Sequence, residues 1–344
     1  MDYLRSHIPR RSLRKVLDVT TTYLITGAAG FVGSSIAEEL LKNPENHVIG
    51  VDDFNPYYSQ SWKRSSLARL EVDNFELCDV DLSSADLDPI IHRADYVLHH
   101  AGQPGVRSSW GVDFAGYVRD NILATQRLLE SARTSPKLRR LVYASSSSIY
   151  GDAASFPTTE SQLPAPVSPY GVSKLAAEHL MSAYARTFGV PTVSLRYFTV
   201  YGPWQRPDMA FTRFCASVIK GETIRVFGSG AQVRDFTFIS DVVDANLRSL
   251  TADLEPGVFF NICGGSGIEL IETIGIIEKA VGRPASILKS GAVAGDVLRT
   301  GGDNSRAKQL LGWEPKVSVH EGLVHQVAWL EQRPELLDTD ELWN

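Results

Sequence analysis

Tyr23-Leu24-Ile25-Thr26-Gly27-Ala28-Ala29-Gly30-Phe31-Val32-Gly33 passes from a short apolar run into three glycines spaced three apart. The run reads as a buried strand, and Ser34 to Lys42 follows with helical periodicity. Gly-x-x-Gly-x-x-Gly between strand and helix is a spaced relative of the dinucleotide-binding turn. Glycine permits the tight turn, lets backbone N–H groups approach a pyrophosphate and lets the helix pack on the strand. The helix N-terminus adds a favourable field for phosphate. A glycine triplet alone also fits an ordinary loop; its placement and a downstream acid raise the dinucleotide reading above that. The acid is Asp52, at the end of a second strand over His47 to Val51. It lies about twenty residues past the loop, where a carboxylate accepts hydrogen bonds from an adenosine ribose. Such a carboxylate repels a ribose phosphate, so NAD is favoured over NADP.

Further outward, Tyr96 to His100 and Leu141 to Ala144 read as strands, with a helical stretch from Tyr117 to Arg133 between them. A helix from Tyr170 to Phe188 leads to a strand over Thr192 to Tyr197. Strands alternating with helices imply βαβ units and an α/β, doubly wound parallel sheet. Beyond Tyr197 the pattern is less regular, with Pro203 and Pro207 breaking it. Helices are expected over Phe211 to Lys220, Asp241 to Leu250, Ile271 to Val281 and Arg306 to Leu311, and strands over Ile224 to Phe227 and Phe236 to Ile239.

Composition narrows the partners. The 344 residues carry a net charge of −6, which gives no electrostatic reason to expect nucleic acid or an anionic membrane. No apolar run approaches the roughly eighteen residues of a membrane span. Cys78, Cys215 and Cys263 are far apart and form neither a disulfide framework nor a metal site, which fits a reducing cytoplasm. Arg5, Arg10, Arg11, Arg14 and Lys15 make residues 1–20 a basic arm without the apolar centre of a secretory signal.

Tyr170-Gly171-Val172-Ser173-Lys174 carries the chemistry. Residues four apart share one helix face. A phenol with an ordinary pKa near 10 is a poor base, and a nearby ammonium favours its phenolate. The pair can therefore take a proton from an alcohol while a nicotinamide takes the hydride. The plain alternative, a surface Tyr and Lys on an amphipathic helix, loses ground because of the motifs around it.

Assembled, these pieces resemble the extended short-chain dehydrogenase/reductase superfamily, over about Thr22 to Gly322. The match adds Asp79, Ala144-Ser145-Ser146-Ser147-Ser148-Ile149-Tyr150-Gly151, Arg196-Tyr197-Phe198-Thr199-Val200-Tyr201-Gly202-Pro203 and Arg234-Asp235-Phe236. It implies a Rossmann-type NAD-binding domain over residues 21–198. A smaller α/β C-terminal part over 199–344 would bind a UDP-sugar and interleave with that core. By the resemblance, Tyr170 is the general base, Lys174 lowers its pKa and binds the nicotinamide ribose, and Ser146 shares the reacting hydroxyl. The cofactor pocket would draw on Gly27, Gly30, Phe31, Val32, Gly33, Asp52, Asn55, Asp79, Val80, Gln103, Asn121 and Tyr197, with Asp79 at the adenine. Arg234 would bind the diphosphate and Asp296 lie near the nucleotide ribose. Some epimerases carry an arginine where Val293 stands; Arg299 is the candidate replacement.

Members of the superfamily share oxidation of carbon 4 of the sugar and differ afterwards. A 4,6-dehydratase carries Asp-Glu just after the catalytic Ser/Thr, and a UDP-glucuronate decarboxylase keeps a Glu at the second of these positions. This chain has Ser147-Ser148, and a hydroxyl is a far weaker proton carrier than a carboxyl. That leaves 4-epimerisation. Gln103-Pro104-Gly105-Val106-Arg107 and Thr199 to Met209 are similar to stretches of UDP-glucuronate 4-epimerases. Ser147, Ser148 and Thr199 would surround the sugar carboxylate, with Arg107 and Arg206 as additional candidates. UDP-glucose epimerases usually have Asn in place of Thr199, and UDP-glucose/UDP-galactose epimerisation is the alternative. A non-catalytic NAD-binding sensor is a further alternative, disfavoured by the intact Tyr, Lys and Ser. The resemblance also implies a homodimer through a four-helix interface formed by Tyr117 to Arg133 and Tyr170 to Phe188.

Overall fold

β1 (Thr21–Thr26) stands inside a seven-stranded parallel sheet. On one side come β2 (Asn46–Asp52) and β3 (Phe75–Asp79). On the other come β4 (Tyr96–His99), β5 (Arg140–Ser146) and β6 (Thr192–Tyr197). The computed structural model describes residues 20–291 and 297–338. The chain then forms β7 (Thr199–Tyr201), β8 (Thr223–Phe227) and β9 (Val233–Phe238) before returning to the large sheet as β10 (Val258–Ile262) beside β6. β11 (Gly267–Glu269) joins β9 and β7 in a three-stranded sheet, and β12 (Ser286–Ser290) pairs with β8. The seventh strand of the large sheet thus comes from beyond residue 198.

Both faces of the sheet are covered, which is why its strands are apolar without alternation. Ile25, Ile36, Leu98 and Leu195 belong to one buried cluster; Leu24, Ile49, Val97, Leu128 and Met181 belong to the other. Neighbours such as Leu24 and Ile25 therefore serve opposite layers. Strand order reverses between β1 and β4, so a crevice opens at the carboxyl ends of these strands. Gly27 turns the chain there with φ +71°, and a Cβ on it would come within 2.7 Å of the Ala101 nitrogen. A Cβ on Gly33 would strike the Gly27 carbonyl oxygen at 2.2 Å.

The helix Pro169–Phe188, which carries Tyr170 and Lys174, begins where Ser168 Oγ accepts from the Gly171 N–H and ends at Gly189 with φ +72°. The stretch expected as one helix from Tyr117 contains a π-helical segment, Val118–Leu123, ahead of the α-helix Ala124–Thr134. Helices Gln60–Ala68 and Val319–Glu331 complete the layers without having been expected.

Candidate active site

A cavity of about 430 Å³ opens at the crevice. Its floor is the loop of Gly27, Gly30, Phe31, Val32 and Gly33. Gly30 precedes the helix Phe31–Leu41 without a side-chain cap, so first-turn N–H groups remain available to an anion. Asp52, Asn55 and Val80 line the same cavity. Asp52 Oδ2 accepts from the Ala29 N–H at 3.0 Å, and Oδ1 from the Phe54 N–H at 2.9 Å. Lys63 Nζ stands 3.4 Å from Asp52 Oδ1, both side chains buried. Lys63 was not singled out in the sequence because it lies in the unforeseen helix Gln60–Ala68. Asp79 is exposed and does not line the cavity; its neighbours Val80, Asp81 and Leu82 do.

The other end of the cavity brings together Gln103, Ser146, Ser147, Ser148, Tyr170, Lys174, Tyr197, Thr199 and Arg206. Ser146 Oγ accepts from the Ser148 N–H at 3.1 Å, which leaves its own proton to donate. Burial raises the Tyr170 phenol above its ordinary value. A hydrogen bond with Ser146 and the charge of Arg206 pull against that rise. Lys174, expected to do this, stands 4.5 Å over the ring of Tyr143. Burial pushes Lys174 down to about 7, opposed by Glu178 one turn along the helix. Glu178 is itself buried, accepting from Ser145 Oγ at 2.6 Å and from Arg196 Nη2 at 2.6 Å. Arg196 in turn donates to Tyr150 Oη at 2.6 Å. The helix Pro169–Phe188 is thereby tied to β5 and β6, the strands that carry Ser146 and Tyr197.

Asn121 lies behind the cavity wall rather than in its lining, at 2% exposure. Its Nδ2 donates to the Gln103 carbonyl at 3.0 Å and to Ser173 Oγ at 2.9 Å. Thr125 Oγ1 donates to the Asn121 carbonyl at 2.6 Å, so His99 Nε2–H donates to Thr125 at 3.0 Å. Burial holds His99 down at about 3, and the neutral ring accepts from Thr26 Oγ1 through Nδ1 at 2.7 Å. This chain of contacts fixes the π-helical turn to the end of β1.

Arg107 and Arg234 stand elsewhere, in a second cavity of about 270 Å³ that also has Thr199 in its wall. Arg234 donates to the carbonyls of Val233 and Val297. Two further guanidinium groups, Arg213 and Arg225, line this cavity. Burial lowers the Arg213 pKa, and the charges of Arg225 and Arg107 lower it further. Asp208, the carboxylate in the wall, is held bidentately by Arg206 at 2.9 Å through each nitrogen. Phe214, Ile224, Phe227 and Leu270 make the rest largely apolar. Arg299 is exposed, packs over Phe156 and lines neither cavity. Asp296 and Val293 lie outside the described residues.

A glycine floor under a cleft at the strand-order reversal, leading to a half-buried Tyr170 between buried Ser146 and Lys174, defines a dinucleotide-dependent enzyme acting on an alcohol. The chain belongs to the NAD dependent epimerase/dehydratase family, whose pattern matches residues 23–263. It is 42% identical over 308 residues to YtcB of Bacillus subtilis (strain 168), described as an uncharacterized UDP-glucose epimerase. That alignment covers 89% of this chain and 97% of the relative. It is 36% identical over 324 residues to the UDP-glucuronate 4-epimerase of Thermodesulfobacterium geofontis, covering 92% of this chain and 98% of that protein. Among solved structures, the UDP-glucuronic acid 4-epimerase of Bacillus cereus, in complex with UDP-glucuronic acid and NAD, superposes with a TM-score of 0.87. Sequence identity there is 39%, with 91% of this chain and 99% of the other covered.

Proposed function

We propose that this protein is an NAD-dependent epimerase that interconverts UDP-glucuronate and UDP-galacturonate through a transient 4-keto sugar. The observation that carries the reading is the set of hydroxyls beside the reacting group. Ser147, Ser148 and Thr199 share the cavity with Ser146, Tyr170 and Lys174. At the two positions after Ser146, where dehydration and decarboxylation need carboxyl groups, the chain offers only alcohols.

The residues fit the cofactor: the glycine floor admits a pyrophosphate, and Asp52 stands at the ribose end. When bound, NAD supplies a reversible acceptor for the hydride of sugar carbon 4. Ser146 donates to Tyr170 and shares the substrate hydroxyl. Tyr170 takes the hydroxyl proton as the ketone forms and gives it back after the ring has turned. Lys174, which lines the same cavity over the ring of Tyr143, is placed to bind the nicotinamide ribose. Ser147, Ser148 and Thr199 hold the sugar carboxylate by hydrogen bonds that reform when the other ring face is presented. The 4-keto sugar is a β-keto acid, which loses carbon dioxide when the breaking bond stands perpendicular to the carbonyl plane. The three hydroxyls keep the carboxylate out of that alignment.

The second cavity takes the nucleotide, its cationic wall meeting the diphosphate. Val118, Leu123 and Val172 are exposed apolar residues on the helices of the expected four-helix interface, and they support a homodimer. None of the three cysteines is paired, in keeping with a cytoplasmic setting. No described helix is long and apolar enough to cross a membrane.

Side-by-side turnover of UDP-glucuronate and UDP-glucose tests the reading. UDP-galacturonate should form from the first at a much higher kcat/KM than UDP-galactose from the second. Faster turnover of UDP-glucose overturns the substrate assignment in favour of the neutral hexose, the activity named for YtcB.

A further inference from the structure

Within the second cavity's wall, Gln232 has a buried carbonyl oxygen, Oε1, with no hydrogen-bond partner among the described residues. Its amide nitrogen is engaged: Nε2 donates to the Phe227 carbonyl at 2.8 Å. Only the nitrogen end of an amide can donate, so this bond decides which end is which. A flipped amide would set two carbonyl oxygens against each other. The backbone is pinned as well, because the Gln232 carbonyl accepts from the Leu270 N–H at 3.0 Å. Gly228 leaves room for the side chain; a Cβ there would come within 2.8 Å of Nε2. The result is an oriented, desolvated acceptor, which is costly to the fold unless something donates to it.

The neighbourhood indicates the donor. Ile224, Phe227 and Leu270 provide an apolar slot, and Arg213 and Arg225 provide cations in the same wall. An apolar slot beside guanidinium groups matches a nucleoside diphosphate, with the base in the slot and the phosphates toward the arginines. A carboxylate, or the diphosphate diester of a nucleotide sugar, has no proton for Oε1 at neutral pH, whereas a uridine has two kinds of donor: the imide N–H of the base and the ribose hydroxyls.

We propose that Gln232 is a nucleoside-recognition residue, its Oε1 accepting a hydrogen bond from the uridine of the substrate. The proposal rests on the UDP-sugar reading above and assigns part of its specificity to one atom. The test is equilibrium binding of UDP, 3-methyl-UDP, 2′-deoxy-UDP and inorganic pyrophosphate to the full chain and to Gln232→Leu. UDP should bind the variant about ten-fold more weakly, the size of one buried hydrogen bond. Pyrophosphate, which has no nucleoside, should bind both proteins alike. The wild-type preference for UDP over one of the two analogues should disappear in the variant. Loss of preference over 3-methyl-UDP names the imide, and loss over 2′-deoxy-UDP names the ribose. Equal weakening of UDP and pyrophosphate would reduce Gln232 to a structural tie between β8 and β9 and overturn the proposal. Unchanged UDP affinity would do the same. A wild-type protein that binds UDP and both analogues equally also sinks it, whether or not the variant folds. Failure of the UDP-sugar reading itself looks different: neither UDP nor pyrophosphate binds the wild-type protein.

Discussion

The two cavities meet at Thr199 but are built in opposite ways. Around the first, carboxylates are matched by neighbours: Asp52 by two backbone N–H groups and Lys63, and Glu178 behind the wall by Ser145 and Arg196, although His100 Nδ1 in the wall has no partner among the described residues. In the second, like charges face one another across the wall, and the Gln232 oxygen has no partner among the described residues. A site whose groups already satisfy each other is set for chemistry and needs little rearrangement at the moment of reaction. A site with unmatched groups gains most when a ligand arrives. The first cavity thus reads as the reacting half and the second as the holding half.

The sharpest way to break this division is Tyr170→Phe. It should lower kcat about 1,000-fold while leaving the dissociation constant for UDP unchanged, as checked by steady-state kinetics and calorimetry. A large loss of UDP binding would show that the halves are not separate. The reverse case is Arg213→Ala. Removing one charged contact should weaken UDP roughly 10- to 100-fold and change kcat for the saturated enzyme far less. Relief of repulsion from Arg225 and Arg107 should also raise the melting temperature of the variant without ligand. Thr199→Ala probes the border between the halves. Epimerisation should fall about ten-fold, and a UDP-pentose should appear among the products separated by chromatography. An unchanged product profile would remove Thr199 from carboxylate control.

The smallest effect concerns stability. Lys174 is held down at about 7 in the fold against an ordinary value of 10.5, so between these values the unfolded chain binds more protons. Stability from this group therefore rises with pH across that window and is lowest below it. Lys174→Met should melt higher than wild type at pH 7, and the gap should narrow toward pH 10. A gap that widens over the same range would contradict the assigned shift.

The first cavity was far more legible in the sequence than the second. Gly27 to Gly33 and Tyr170 to Lys174 each lie within one turn or one helix, where spacing alone sets geometry. The parallel sheet was legible for the same reason, as apolar runs such as Thr192 to Tyr197 alternate with helices. Arg107, Arg213, Arg225 and Gln232 come from four separate segments, and no spacing announces that a tertiary fold will join them. Lys63 was hidden similarly, in a helix of low hydrophobicity. The helix Val319–Glu331 was open to reading: Ser318 caps it, and Val319, Leu323, Val327 and Leu330 recur at helical intervals. The burial of Tyr170 and Lys174 could not be read at all. Periodicity places them on one face but says nothing of the desolvation that moves their proton affinities in the directions described.

The position of Thr199 in both walls has a mechanical consequence. A sugar whose two faces must be offered in turn needs a tether that survives the turn. Under the proposed function, with the nucleotide anchored in one chamber, the bonds of the diphosphate would act as a swivel about which the hexose swings without being released. The leash is then part of the catalyst's working stroke. A sugar 1-phosphate, cut free of its nucleotide, should lose turnover number as well as affinity, because nothing would return the ring to the same phenol.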